Sequence, residues 1–172
     1  MLFDIIVSDP PWKFASNSKA KPGRNAMRHY DCMTDAEIKA VNVPAKPDAL
    51  LFMWTTAPML ARAMPVLNAW GFKYVSQLVW VKPNIATGYW VRNRHEIVLI
   101  AKRGKFPCVK PAPFADSVII APTGQHSQKP EVLLGRIDEM WPDADRLEMF
   151  ARRKRVGWNV WGNQTDMLEA TT

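Results

Sequence analysis

The chain is poor in the residues that build several common functional devices. It carries only two cysteines, Cys32 and Cys108, in 172 residues. They lie too far apart for a zinc-type pair, so no metal site is expected, and nothing supports a disulfide framework. A reducing, cytoplasmic setting is the default for such a chain. No apolar run approaches the ~20 residues that span a bilayer. The amino-terminal apolar stretch lacks a basic flank and is broken by Asp4 and Asp9, which argues against a signal peptide. Glycine is scarce, at 8 residues, and no glycine turn follows the first predicted strand, where dinucleotide-type pockets usually have one. Acidic groups are in the minority: 16 Asp and Glu face 23 Lys and Arg, a net charge of +7. That balance fits a nucleic-acid partner and fits plain solubility equally well. Internal repeats, low-complexity tracts and a composition shift that would mark a boundary are all lacking, so residues 1–172 are expected to form one domain with a sizeable core.

What is present is concentrated at Asp9-Pro10-Pro11-Trp12. The preceding run, Phe3 to Ser8, reads as a short buried strand. In open α/β sheets ligands bind beyond the carboxyl ends of strands, so the tetrapeptide stands where chemistry is expected. An adenine-type amine is a weak nucleophile because its lone pair is delocalised into the ring. Two acceptors that take its two N–H bonds would leave that lone pair aimed at an electrophilic methyl group. Asp9 and the Pro10 carbonyl are such acceptors. Proline fixes φ and restricts the residue before it, so consecutive prolines hold that carbonyl with little freedom. Trp12 would give a face for a base to stack on, worth roughly 1–3 kcal/mol. A strand-ending turn with a core tryptophan is the plainer reading of the same residues.

Along the chain, residues 13–30 are polar and read as a long mobile loop, with further mobile loops near 84–95 and 107–128. Lys13, Lys19, Lys21, Arg24, Arg28 and His29 fall in the first loop. Arg92, Arg94 and His95 form a second basic group, Lys102, Arg103 and Lys105 a third, and Arg152 to Arg155 a fourth. Thr34-Asp35-Ala36-Glu37 has the form of a capping box that opens a short helix. Strands are expected at 49–54, 74–81, 96–101, 146–150 and 157–161. Helices are expected at 59–70, stopped by Gly71 and kinked or shortened at Pro65, and at 130–140, capped by Ser127. Residues 108–128 read as irregular. Strands that interleave with helices predict an α/β domain with a mostly parallel sheet. Only eight residues precede Asp9, so a methyl-donor pocket would be built mainly by the later chain. Glu148 could accept from ribose hydroxyls, Arg152 could donate to the same sugar or to a carboxylate, and Lys82 could pair with an amino-acid carboxylate. Gly162-Asn163-Gln164 could read an adenine edge. A surface ion pair is the plainer reading of Glu148 and Arg152.

Taken in order, these segments resemble the MT-A70 family of nucleic-acid adenine-N6 methyltransferases of the Asp-Pro-Pro-Trp type. The likeness includes Asp9-Pro10-Pro11-Trp12, Tyr30 and Met33, Leu51-Phe52-Met53-Trp54, Leu67-Asn68-Ala69-Trp70-Gly71-Phe72 and Val79-Trp80-Val81-Lys82. It continues through Gly88, Trp90, Glu96-Ile97-Val98-Leu99, Ser127-Gln128-Lys129-Pro130, Leu147 to Arg152 and Gly162-Asn163-Gln164. The resemblance implies a single-domain, circularly permuted Rossmann-like fold, with the catalytic motif ahead of the cofactor strand. It implies S-adenosylmethionine as donor, S-adenosylhomocysteine as product and no metal. Asp9, Pro10, Pro11 and Trp12 would be catalytic, with Trp12 and Tyr30 flanking the base. Asp9, Lys82, Glu148, Arg152, Asn163 and Gln164 would hold the donor. Lys13, Arg28, Trp90 and Arg92 would meet the nucleic acid. Arg153-Lys154-Arg155 stands where messenger-RNA-modifying relatives have Pro-His-Asn, and the basic run would face phosphates instead. Short solo chains of this kind look bacterial or phage-like, which favours DNA over RNA. RNA, or a non-catalytic binding module, is the alternative. A homodimer is compatible with the chain, and no membrane partner is implied.

Overall fold

The computed structural model describes residues 1–13, 32–86, 88, 90–108, 116–124, 128–151 and 153–162. In chain order the elements are β1 (Phe3–Ser8), α1 (Asp35–Ala40), β2 (Ala45–Thr55), a 3₁₀ turn (Ala57–Met59) leading into α2 (Leu60–Ala69), β3 (Lys73–Val81), β4 (His95–Arg103), β5 (Val118–Ile120), α3 (Val132–Met140), β6 (Arg146–Met149) and β7 (Asn159–Trp161). Among the described residues seven strands form one sheet, ordered β5-β3-β4-β2-β1-β6-β7. β4 runs antiparallel to β2 and β3, and the four remaining pairings are parallel. The reversal of β4 follows from its connection. The two arms of the connection pair with each other, Lys82 N–H donating to Arg94 O and Ala86 N–H to Asn93 O (both 2.8 Å). That return leaves no length for the crossover a parallel neighbour requires. The α/β, mostly parallel, Rossmann-like architecture expected from the sequence is therefore present.

The strand period sorts side chains onto two faces. Ile6, Leu51, Met53, Leu99, Leu147 and Met149 pack with Ile38 of α1 and with Ala63, Val66 and Leu67 of α2. Ile5, Val7, Leu50, Phe52, Trp54 and Val98 pack on the other side with Leu133, Leu134 and Ile137 of α3. The central strands β1, β2 and β4 are thus buried on both faces, which is why they read as continuous apolar runs.

Local signals held where they were strong. Thr34 caps α1 and Glu37 returns the bond to the Thr34 backbone, a complete capping box. Gly71 ends α2 with φ +78°, a conformation that suits glycine. Pro65 neither stops nor shortens the helix: α2 runs through it to Ala69. Its ring is exposed, and the buried stripe of Ala63, Val66 and Leu67 holds the helix on the sheet despite the missing bond. The stretch read as irregular contains β5, an edge strand paired to the end of β3. The helix read from Pro130 begins at Val132 with no side-chain cap, and Ser127 lies outside the described residues. β6 ends at Met149, and Phe150 already turns away at φ +60°.

Candidate active site

β1 has β2 on one side and β6, far later in the chain, on the other. The crevice beyond the carboxyl ends of such a pair is a topological switch point, the usual ligand position in open α/β sheets. Asp9 leaves β1 there, its N–H directed at Met149 O of β6 at 3.4 Å. The corner that follows is tied at each step. Trp12 N–H donates to Pro10 O (2.8 Å), Met33 N–H to Pro11 O (2.8 Å) and Lys13 N–H to Met33 O (3.2 Å). The Pro10 carbonyl keeps a second lone pair after that bond.

Trp12 is not an open platform. It is 4% exposed, lies in the helix-side core, and directs its indole N–H toward Trp54 O at 3.4 Å. In this conformation its ring anchors the corner, and stacking of a base on it requires the corner to open. Core burial won because the corner turns back over the sheet, where a large apolar ring gains more from packing than from water.

Around Asp9 stands a chain of alternating charges that sequence reasoning did not assemble. Lys129, in the segment before α3, places its ammonium 2.9 Å from Asp9 and 3.3 Å from Glu96. Glu96, 6% exposed near the start of β4, also accepts from Lys82 at the end of β3. The two lysines lie over tryptophan rings, Lys82 at 4.8 Å from the Trp80 centroid and Lys129 at 5.6 Å from that of Trp54, which adds cation–π attraction. Burial works against the Lys129 ammonium, but the charges of Asp9 and Glu96 outweigh it and hold its pKa above the ordinary lysine value. Burial likewise opposes the Glu96 carboxylate, and Lys129 and Lys82 overcome it, leaving its pKa low. One signal was available: Glu96 is a lone charge opening the apolar run Ile97-Val98-Leu99-Ile100-Ala101, and a buried carboxylate needs a cation.

Glu148 is treated differently. It lies on β6 opposite Val7 of β1 and Val160 of β7, on the sheet face that Asp9 shares. Burial, and then the negative charge of Asp9, push its carboxyl up to about 7, against a weaker pull from Arg155. No hydrogen bond reaches it among the described residues. A half-buried acceptor with no donor among the described residues fits a ligand that brings hydroxyls, such as a ribose diol, and two neighbouring carboxylates fit a sulfonium cation. By this test the residues present suit an S-adenosylmethionine-type donor. The surroundings of Glu148 are shaped by close backbone contact. A Cβ on Gly162 would stand 2.4 Å from Ala151 O and 2.7 Å from Ala151 N, so β7 can end here only with glycine. Phe150, in a left-handed conformation costly for a side chain with a Cβ, stacks edge-on to Trp161 at 5.0 Å.

Of the other residues singled out from sequence, Lys82 already pairs with Glu96, and its ammonium keeps further N–H donors for a second carboxylate. Trp90, 99% exposed, and Arg92 project from the β3–β4 connection, and Lys13 is exposed at the end of the corner. Tyr30, Arg28, Arg152, Asn163 and Gln164 lie outside the described residues. Within the basic run read as facing phosphates, Arg153 and Lys154 are exposed, but Arg153 pairs with Glu131, and Arg155 with Glu131 and with Asp138 at 2.8 Å. Carboxylates at the start and along the side of α3 claim these guanidinium groups before a phosphate could. Among the described residues no cluster of three or more His, Cys, Asp or Glu is placed to hold a metal, and no helix is long and apolar enough to cross a membrane.

Comparison with known proteins agrees with this geometry. The chain is similar to the type II methyltransferase M.MunI of Mycoplasma sp, 31% identical over 178 residues, covering 93% of this chain and 76% of that protein. It is 31% identical over 173 residues to an MT-A70-like N(6)-adenosine-methyltransferase of Arabidopsis thaliana, covering 94% of this chain and 24% of the relative. To the N(6)-adenosine-methyltransferase catalytic subunit METTL3 of Homo sapiens it is 29% identical over 175 residues, 95% of this chain and 28% of the relative. The chain thus spans about a quarter of the length of these two eukaryotic relatives. The family model described as MT-A70 matches residues 3–164, nearly the whole sheet and both sides of the crevice, and the chain belongs to the MT-A70 family.

Proposed function

We propose that this protein transfers a methyl group from S-adenosylmethionine to the N6 amine of adenine in DNA. The observation that carries the reading is the pairing of Asp9, on a proline-locked corner at the switch point, with Glu148 on the adjacent strand, half-buried and without a hydrogen-bond donor among the described residues. When bound, S-adenosylmethionine supplies an electrophilic methyl group on a sulfonium. Glu148 would accept from its ribose hydroxyls. Asp9 and the remaining lone pair of the Pro10 carbonyl would accept the two amine N–H bonds and direct the nitrogen lone pair at the methyl carbon. Lys129 now occupies Asp9, so the amine must share or replace that contact. Lys129 retains Glu96 as a second partner, which lowers the cost of the exchange. The strand bearing Asp9 precedes the strand bearing Glu148 in the chain, and we read this as the circularly permuted order.

A stacked base cannot present its amine to this crevice, so the target would be flipped out or single-stranded. Lys13 and Arg92 would contact phosphates, and the exposed ring of Trp90 would meet a base. Tyr30, Arg28, Arg152, Asn163 and Gln164 remain proposed contacts on the family resemblance. The preference for DNA rests on the likeness to a type II methyltransferase, most of whose length this chain spans. RNA is the second reading, favoured by the match of almost the whole chain to proteins named N(6)-adenosine-methyltransferases.

The test is mass spectrometry of nucleosides from matched single-stranded DNA, duplex DNA and RNA after incubation with isotopically labelled donor. Labelled N6-methyldeoxyadenosine is expected. Label in RNA alone would overturn the DNA assignment. Nucleic-acid binding with no donor binding by calorimetry would overturn catalysis in favour of a binding module.

A further inference from the structure

Lys13, the last described residue of the corner, has its backbone held from two directions. Its N–H donates to Met33 O at 3.2 Å, and its carbonyl accepts from Arg62 Nη1 at 3.0 Å. Arg62 lies on α2, away from the crevice residues described above. Its Nε reaches both carboxylate oxygens of Asp35 at 2.9 and 2.8 Å, and Nη2 makes a further bond to the same group. Nη1 also lies 2.9 Å from Met59 Sδ. One guanidinium therefore joins α2, the first turn of α1 and the end of the catalytic corner. The planar fork of arginine serves such divergent acceptors; a lysine offers a single point charge.

The same corner receives Met33 N–H at Pro11 O, and Asp35 follows Met33 by two residues. Asp35, gripped by Arg62, thus fixes the strand of chain that in turn fixes Pro11. Arg62 acts on the corner twice, directly at Lys13 and indirectly through Asp35 and Met33. We propose that Arg62 is a positioning residue for the reaction: it sets the orientation of the Pro10–Trp12 corner, and so of the Pro10 carbonyl, without touching substrate or donor. The pair is about one-third exposed on each side, so its value as a plain surface ion pair is small. Its use lies in where the third contact falls.

The consequence for rate rests on the function proposed above; the consequence for the corner does not. Two readouts keep them apart. In Arg62→Leu, amide hydrogen exchange at Lys13 and Met33 should speed up by about tenfold or more while that of Ile6 and Val7 is unchanged. Its kcat for methyl transfer should fall about tenfold or more, with KM for the donor within about twofold. Arg62→Lys, which can keep the Asp35 pair but not the fork, should recover thermal stability and leave kcat low. Retention of kcat in Arg62→Leu, or full recovery of kcat in Arg62→Lys, overturns the proposal, as does unchanged exchange at Lys13 and Met33. If the wild-type protein transfers no methyl group, the functional reading fails, and the exchange measurement alone decides the clamp.

Discussion

The two ends of the β1–β6 strand pair carry nearly the same groups and use them in opposite ways. At the amino end, Asp4 and Asp145 share Lys46, at 2.8 and 2.7 Å, and Asp145 N–H donates to Asp4 at 2.9 Å. Burial opposes the Asp4 carboxylate, and Lys46 and that backbone bond overcome it, holding its pKa below the ordinary value. At the carboxyl end, Asp9 lies close enough to Glu148 for its charge to raise the pKa of that carboxyl. Here Lys129 bridges Asp9 and Glu96, and among the described residues no hydrogen bond reaches Glu148. Each end sets two carboxylates close together, yet at one end a lysine staples the pair and at the other the lysine holds only Asp9. The second partner of Lys129 is the buried Glu96, not Glu148. A site that holds a half-buried acid with its pKa raised is less stable than it need be, and that is what a ligand can use.

The comparison can be broken by removing its members one at a time. The largest effect should come from Asp9→Asn, which keeps the shape of the corner and weakens the acceptor. Methyl transfer should fall on the order of 10³-fold or more with an unchanged circular dichroism spectrum; substantial activity would show that Asp9 belongs to a staple after all. Next, Glu148→Gln should weaken donor binding roughly 10- to 100-fold, as expected for a hydrogen bond to a charged group. The wild-type affinity should rise as pH increases through about 7, where Glu148 ionises, and the variant should lose that dependence. Calorimetry across pH 6 to 8 would check it.

Stability should run the other way. The folded pKa of Glu148 lies above its unfolded value, so the protonated form favours the fold. That contribution is present below about pH 4.5 and is lost as pH rises to about 7. Glu148→Gln should therefore raise the melting temperature at pH 8 by a few degrees and have little effect at pH 4. Lys129→Met should cost about 3 kcal/mol, because it strips a cation from buried Glu96 and from Asp9 together; denaturant unfolding would measure it. The smallest functional effect should come from Lys46→Met at the far end. Its melting temperature should drop, with kcat within about twofold of wild type. A large loss of activity there would erase the distinction between the two ends.

How far this was legible from the chain depends on the range of the interactions. The strand before Asp9, the capping box at Thr34 and the Gly71 stop are written in adjacent residues, and each stands as read. The proline corner is likewise local, because φ restriction acts on the residue itself and its neighbour. Glu148 could be named from sequence as a ribose acceptor. Its raised pKa could not, since that depends on burial in the folded sheet and on the nearness of Asp9. The burial of Trp12 could not be read from the tetrapeptide, which says nothing of the Trp54 carbonyl that receives its indole. Arg153 and Arg155 looked free because their carboxylates lie on α3, some twenty residues earlier in the chain.

The amino-acid order alone settled the α/β class, the family and the position of the acidic corner, because periodicity, proline stereochemistry and capping act over a few residues. Only the packed sheet decided which carboxylate would be neutralised and which left bare, that β4 would run backward, and that Arg62 would reach the corner. Those outcomes depend on which distant charges share one low-dielectric space, and competition among them is resolved only when the strands lie side by side.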